Sequence, residues 1–64
     1  MLVLGAFGSR ASASAAREFL AEELGAKYEA SLEVYTWTRE GKLRVLSIKR
    51  EKAAWELRVE LVAA

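Results

Sequence analysis

The side chains of this 64-residue chain offer few kinds of chemistry. Its nine acidic residues are all Glu, and it contains ten Lys and Arg residues but no His, Cys or Asp. An activated serine nucleophile and a zinc, iron or calcium site therefore lack their usual residues. Paired carboxylates such as Glu22 and Glu23 fall on the polar side of a predicted helix, where no burial would raise their pKa. We therefore predict a protein that is not an enzyme, with no catalytic residues, no metal ligands and no cofactor.

Nucleic-acid recognition is a second chemistry that the sequence allows. Aromatic and basic residues alternate near a predicted hairpin, as they do in platforms on which single strands stack. The net charge is only +1, and Glu33 and Glu40 balance the basic side chains locally. Binding of single-stranded or double-stranded nucleic acid is thus an alternative to the first prediction. The basic residues that would carry it are Arg39, Lys42, Arg44, Lys49 and Arg50.

Length and composition limit how the chain can be stabilised. We expect one domain spanning 1–64, and a domain this small buries only about 60% of the surface that its unfolded chain exposes. Such domains usually need a disulfide, a metal or association with other copies, and this chain has no Cys. The absence of Asn, Gln and Cys beside abundant Glu, Lys and Arg is also typical of thermophilic proteins. No apolar run approaches the roughly 20 residues of a membrane span, and residues 1–8 lack the basic start of a signal peptide, so we expect a cytoplasmic protein.

Two hydrophobic periodicities predict an α+β fold with the element order βαβββ. The apolar run Leu2-Val3-Leu4 is typical of a short strand that is covered on both faces. Apolar and polar residues alternate over 28–62, which predicts an antiparallel meander of three strands. Its second turn, Arg50–Ala53, would pair Ile48 with Trp55.

The segment between these strands has the pattern of a helix that ends at Leu24 and packs on one face of the sheet. Ser9 or Ser12 is the predicted N-cap, and Gly25 is the predicted left-handed residue that ends the helix. The predicted apolar side of the helix is Ala13, Ala16, Phe19, Leu20 and Leu24, and the predicted solvent side is Arg17, Glu18, Glu22 and Glu23.

The register of the first hairpin decides which side chains share a face of the sheet. A three-residue loop, Glu40-Gly41-Lys42, with Gly41 in the left-handed position of a bulge, places Trp37 opposite Leu43. A two-residue loop would place Trp37 opposite Arg44, so we favour the longer loop. In that register the helix covers a first face made of Tyr28, Leu32, Val34, Leu46, Ile48, Trp55, Leu57, Val59 and Leu61.

The second face of the sheet then has an apolar patch that nothing obvious in the chain covers. The patch consists of Tyr35, Trp37, Leu43 and Val45. Its area would be a few hundred Å², the size at which an exposed apolar patch usually marks an interaction site. Alternatively, the N-terminal arm folds over it. We favour a non-enzymatic assembly module that forms a homo-oligomer, with another copy or another protein as its partner and no membrane contact.

The order of elements resembles that of two known families. A helix followed by a three-strand meander resembles the core of double-stranded-RNA-binding domains, which continue into a lysine-bearing helix. The size and the strand-helix-strand opening are similar to dodecins, small flavin-binding oligomers with an aromatic residue in the sheet. Both resemblances concern architecture only. The resemblance to dodecins implies a further alternative function, in which the protein is an oligomer that binds a flavin-like ligand.

Overall fold

One helix packs against a five-stranded antiparallel sheet in the computed structural model, which describes residues 1–62. The strands lie in the order β1-β5-β4-β3-β2, so β1 and β2 are the two edges. The predicted α+β class is confirmed. The sheet has one strand more than predicted in the meander, because a turn at 30–33 separates β2 from β3. The elements are β1 Leu2–Phe7, α1 Arg10–Leu24, β2 Lys27–Glu29, β3 Val34–Arg39, β4 Lys42–Glu51 and β5 Ala54–Val62.

Both predicted ends of the helix are confirmed. Ser9 is the N-cap, and its hydroxyl oxygen accepts a hydrogen bond from the backbone N–H of Ser12 at 3.1 Å. Gly25 follows the last helical residue with φ 66°, and its N–H donates to carbonyl groups of the last helical turn. These two residues satisfy backbone groups that would otherwise have no partner at the helix ends.

The buried side of α1 differs from the predicted one. The buried residues are Ala13, Arg17 and Ala21, which follow one another at intervals of four and so form a single stripe. Phe19 was predicted to lie on the apolar side of the helix but is 68% exposed. Arg17 was predicted to face solvent but is only 8% exposed. Two alanines allow the helix to lie close to the sheet, and Arg17 between them reaches across to the strands.

The first hairpin has a two-residue loop, so the predicted three-residue loop is wrong. Glu40 and Gly41 form the loop, with φ of 55° and 73°, and Trp37 lies opposite Arg44. Two central residues with positive φ match the twist of the flanking strands better than other short turns do. The predicted left-handed conformation of Gly41 is confirmed. The shorter loop moves Tyr35 and Trp37 to the face that α1 covers.

The second hairpin is also shifted from its predicted register. Ile48 lies opposite Leu57 and Arg50 lies opposite Trp55, with Lys52 and Ala53 in the loop. Because the shift is two residues, every side chain keeps its predicted face. Trp55 is half-buried beneath the guanidinium of Arg10, 5.8 Å from the ring centroid, and stands outside the central core cluster.

The core lies between α1 and the middle of the sheet. Ala21, Leu46 and Leu57 are buried at its centre. The prediction for the first face is right for the apolar residues of β4 and β5 that form this core. It is wrong for Leu32, which is 70% exposed in the turn before β3, and for Val34, whose register directs it to the other face. The side chains around the centre are Phe7, Ala16, Leu20, Ala26, Tyr35, Trp37, Ile48 and Val59.

Candidate self-association surface

The four residues of the predicted patch do not share a surface. Tyr35 and Trp37 pack against the core on the face that α1 covers. Leu43 and Val45 lie on the opposite face, here called the open face, because they alternate with the core residues of β4. The one-residue difference in the loop is the cause, since a slip of one residue transfers every side chain of a strand to the other face.

One half of the open face is occupied by an ion-pair cluster. The Nε and Nη2 atoms of Arg58 donate to Oε1 of Glu56 at 2.9 and 2.7 Å, and Nη2 also lies 3.3 Å from Oε2 of Glu51. The hydrogen bond with Glu56 raises the pKa of Arg58 above its ordinary value, and the charge of both carboxylates adds to this effect. The side chain of Arg58 is only 12% exposed. Its charge is thus satisfied within the chain.

The exposed apolar side chains gather at one corner of the sheet. Ten large apolar side chains of the described residues are exposed, and seven of them lie on β4, on β5 and at or beside β1 at this corner. Their exposed fractions range from 40% for Val62 to 73% for Met1. We call this set the apolar corner, and it consists of Met1, Leu2, Val3, Leu4, Leu43, Leu61 and Val62.

The uneven lengths of the strands produce the apolar corner. β1 begins at Leu2, which lies opposite Val59, so β5 continues for three residues beyond that pair. Leu61 is the next residue of β5 that points to the same face as Leu2, which makes the two side chains diagonal neighbours. On the open face, Val62 lies directly opposite Leu43.

The two edges of the sheet differ in how well they are protected. β2 has only three residues and carries Lys27 and Glu29, a short and charged edge of the kind that discourages strand addition. β1 has six residues, and the first nine residues of the chain include no charged side chain. An apolar edge strand without charges is a site at which another strand can pair. The predicted first strand is confirmed, but it lies at an edge and its apolar run is exposed rather than covered.

The basic residues of the nucleic-acid alternative do not form one surface. Arg39 and Lys42 lie opposite each other beside the first loop, and Arg50 lies at the far end of β4 opposite Trp55. Lys42 and Arg50 are eight positions apart along β4, which corresponds to about 26 Å. Lys49 is on the open face, and Arg44 is half-buried beside Trp37. The rings of Tyr35 and Trp37 pack against the core and are not an exposed stacking platform.

Two shallow depressions are the candidate small-ligand sites. One, of about 280 Å³, lies between the end of α1, the start of β2 and the second half of β3, and the other, of about 360 Å³, lies over Arg10, Ala11 and Ser14 on a single turn of α1. Ligand pockets usually have volumes of about 300–1,000 Å³ and enclose most of the ligand. The first depression is lined by Leu24, Gly25, Lys27, Thr36, Trp37, Thr38 and Leu43.

The described residues offer neither a metal site nor a membrane-spanning helix. Within 1–62, no group of three or more acidic side chains is placed to hold a metal ion. The single helix there is too short and too polar to cross a bilayer.

The exposed corner and the β1 edge, which carries no charged side chain and has a bulge between Val3 and Gly5, are the candidate sites for an interaction. No known family model, curated protein or solved structure matches this chain. The resemblances to double-stranded-RNA-binding domains and to dodecins remain resemblances in element order. A function for this chain has to be inferred from its own surface.

Sequence reasoning missed two features that the structure reveals. Arg17 donates from Nη1 to the backbone oxygen of Glu33 at 2.8 Å and lies 5.3 Å from the ring centroid of Tyr35. The spacing of Ala13, Arg17 and Ala21 was the available signal, since small residues four apart on both sides of an arginine favour close helix packing. The signal for the apolar corner was the absence of charge from residues 1–9.

Proposed function

We propose that this protein is a non-enzymatic assembly module that acts in the cytoplasm as a small homo-oligomer. The observation that supports this proposal most directly is the apolar corner. Seven exposed apolar side chains near the same ends of β1, β4 and β5, on both faces of the sheet, are more than the scattered single residues that ordinary surfaces carry. Contiguous exposed apolar surface on a small protein usually marks an interaction site.

The apolar corner is large enough to stabilise an association between two copies. Full burial of a Leu, Val or Met side chain contributes about 1.5–3 kcal/mol. The seven side chains are half exposed on average and lie on both faces of the sheet, so burying all of them in both copies sets an upper limit of about 10–20 kcal/mol. Association costs about 4–15 kcal/mol in lost freedom of motion. Burial of about half of this apolar surface already offsets the lower part of that cost, and a chain of 64 residues without disulfides gains stability from association.

Sedimentation velocity tests the proposal with a matched pair of variants. Leu2→Lys places a charge in the apolar corner, on the edge strand itself, and Phe19→Lys places the same charge on the outer side of α1. Leu2 is 59% exposed and Phe19 is 68% exposed, so neither lysine has to be buried in the isolated chain. We expect the parent protein and Phe19→Lys to sediment as an oligomer. We expect Leu2→Lys to sediment as a folded monomer, because association would bury its charge.

Two results would contradict the proposal. The first is a parent protein that remains monomeric and cooperatively folded up to high micromolar concentration. The second is an oligomer that dissociates equally in Phe19→Lys and in Leu2→Lys. Far-UV circular dichroism of each variant distinguishes dissociation from unfolding.

A further inference from the structure

We propose that two copies of this chain associate edge to edge through β1, so that two five-stranded sheets become one continuous sheet of ten strands. This inference rests on the proposed homo-oligomer and names its mode of pairing. A two-fold axis perpendicular to the sheet relates the copies, and across such an axis the same strand runs in the opposite direction. The two β1 strands therefore pair antiparallel, as all other neighbours in this sheet do.

The second hairpin determines which backbone groups of β5 point toward β1. Lys52 and Ala53 form a two-residue loop between Glu51 and Ala54, and such a loop makes its two flanking residues a hydrogen-bonded pair. Backbone groups of successive residues then alternate between the two neighbouring strands. Even-numbered residues of β5 bond to β4, and odd-numbered residues from 55 to 59 bond toward β1.

This alternation leaves a row of unpaired backbone groups on the outer side of β1. Val3 lies opposite Arg58 and Ala6 lies opposite Glu56, both even-numbered residues of β5. The N–H and C=O groups of Val3 and Ala6 are consequently directed away from β5, to the edge of the sheet. Leu4 is the additional residue of a bulge between them. The outward groups are the ones that a further strand would bond.

The chemistry of β1 favours a second copy of itself as that strand. Residues 1–9 contain no charged side chain, so two β1 strands bring no like charges together and bury no unpaired charge. The other edge strand of the sheet, β2, has three residues and carries both Lys27 and Glu29. Leu2 points to the helix-covered face and Val3 to the open face. When the two β1 strands pair, the side chains of the second strand lie beside Leu2 on one face and beside Val3 on the other, so pairing buries part of the apolar corner.

Amide hydrogen exchange tests the pairing directly, with a control amide at the other edge. The same alternation directs the N–H of Tyr28 away from β3, because its neighbours Lys27 and Glu29 are the residues that bond to β3. The amides of Val3, Ala6 and Tyr28 therefore all lack a sheet partner in one copy. On raising the concentration until the oligomer dominates, we expect exchange at Val3 and Ala6 to slow at least about tenfold and exchange at Tyr28 to stay unchanged.

A proline substitution provides the second test. Ala6→Pro removes the outward N–H without removing a bond inside the sheet, and edge strands tolerate proline there. The preceding residue, Gly5, belongs to the same strand, and proline favours extended backbone at the residue before it. We expect Ala6→Pro to raise the dissociation constant at least about tenfold. Ala6→Ser, which keeps the N–H, is expected to leave the constant unchanged.

The outcomes separate this inference from the proposed function. An oligomer in which Val3 and Ala6 exchange as fast as Tyr28 would overturn edge pairing and leave the homo-oligomer standing. A parent protein that is monomeric at every concentration would overturn both. If Ala6→Pro fails to fold, the amide exchange of the parent protein still decides the question.

Discussion

Trp37 lies opposite Arg44 across the ladder between β3 and β4, and both side chains belong to the face of the sheet that α1 covers. Trp37 packs against the core, whereas Leu43, the next residue of β4, points to the open face. The Nε atom of Arg44 is buried and has no hydrogen-bond partner among the described residues. Because Trp37 packs against the core of its own chain, it stabilises the fold of the single chain.

Trp37→Ala and Leu43→Ala are therefore expected to have different effects. Trp37→Ala should lower the free energy of unfolding by about 2–3 kcal/mol, less than the 3–5 kcal/mol of a fully buried Trp because this side chain is only half-buried. The loss should not depend on protein concentration. Leu43→Ala should instead lower the free energy of unfolding by about 1 kcal/mol or less, because this side chain is 41% exposed on the open face and lies two strands away from the pairing edge. Thermal unfolding at several concentrations measures both effects, and a concentration-dependent effect of Trp37→Ala would contradict this assignment.

The parts of the fold that depend on local chemistry were predictable from the sequence. Ser9 and Gly25 define the ends of the helix through their own hydrogen bonds and dihedral angles. Strand periodicity likewise predicted the α+β class, because alternation of apolar residues reflects the pleat of a half-buried strand. None of these features requires knowledge of which strand lies beside which.

The features that depend on register were not predictable in the same way. Maximising apolar pairs across the first hairpin placed Trp37 opposite Leu43, whereas the folded chain has a two-residue loop that turns Trp37 toward the core. The burial of Arg17 depends on the turn before β3, where Glu33 has a positive φ of 54°. The apolar corner depends on how far β5 extends past β1, a difference of length that no single strand pattern contains.

Arg17→Met tests whether the buried arginine fastens the turn before β3 to the helix. The substitution keeps most of the apolar stem but removes the donor to the backbone oxygen of Glu33. Glu33 is exposed, so its carbonyl can bond to water instead, and loss of this part-buried hydrogen bond should cost about 0.5–1.5 kcal/mol in chemical denaturation. Arg39→Met is the control, because the side chain of Arg39 is 69% exposed and its replacement should change stability by no more than about 0.5 kcal/mol. Equal effects of the two substitutions would show that the hydrogen bond contributes nothing measurable.

Salt distinguishes an apolar association from binding of a polyanion. The strand that we propose to pair carries no charged side chain, so raising NaCl from about 50 to about 200 mM should change the dissociation constant less than about threefold. A protein that binds nucleic acid through 6–10 phosphate contacts loses about 10³–10⁵ in affinity over the same range. Sedimentation measures the salt dependence of self-association, and fluorescence anisotropy of a labelled single-stranded oligonucleotide measures that of nucleic-acid binding. Tight, salt-sensitive binding of the oligonucleotide would favour the nucleic-acid alternative.

Glu40→Asn should stabilise the fold through the first loop. Glu40 has a positive φ of 55°, a conformation that costs most side chains about 1–2 kcal/mol but that Asn adopts more readily. Asn followed by Gly is also the pair that this kind of two-residue hairpin loop prefers, and Gly41 is already in place with φ 73°. We expect the free energy of unfolding to rise by about 0.5–1 kcal/mol. Glu40→Gln removes the same charge without the same backbone preference, so it should leave the denaturation midpoint unchanged, and an equal gain in both variants would assign the effect to charge instead.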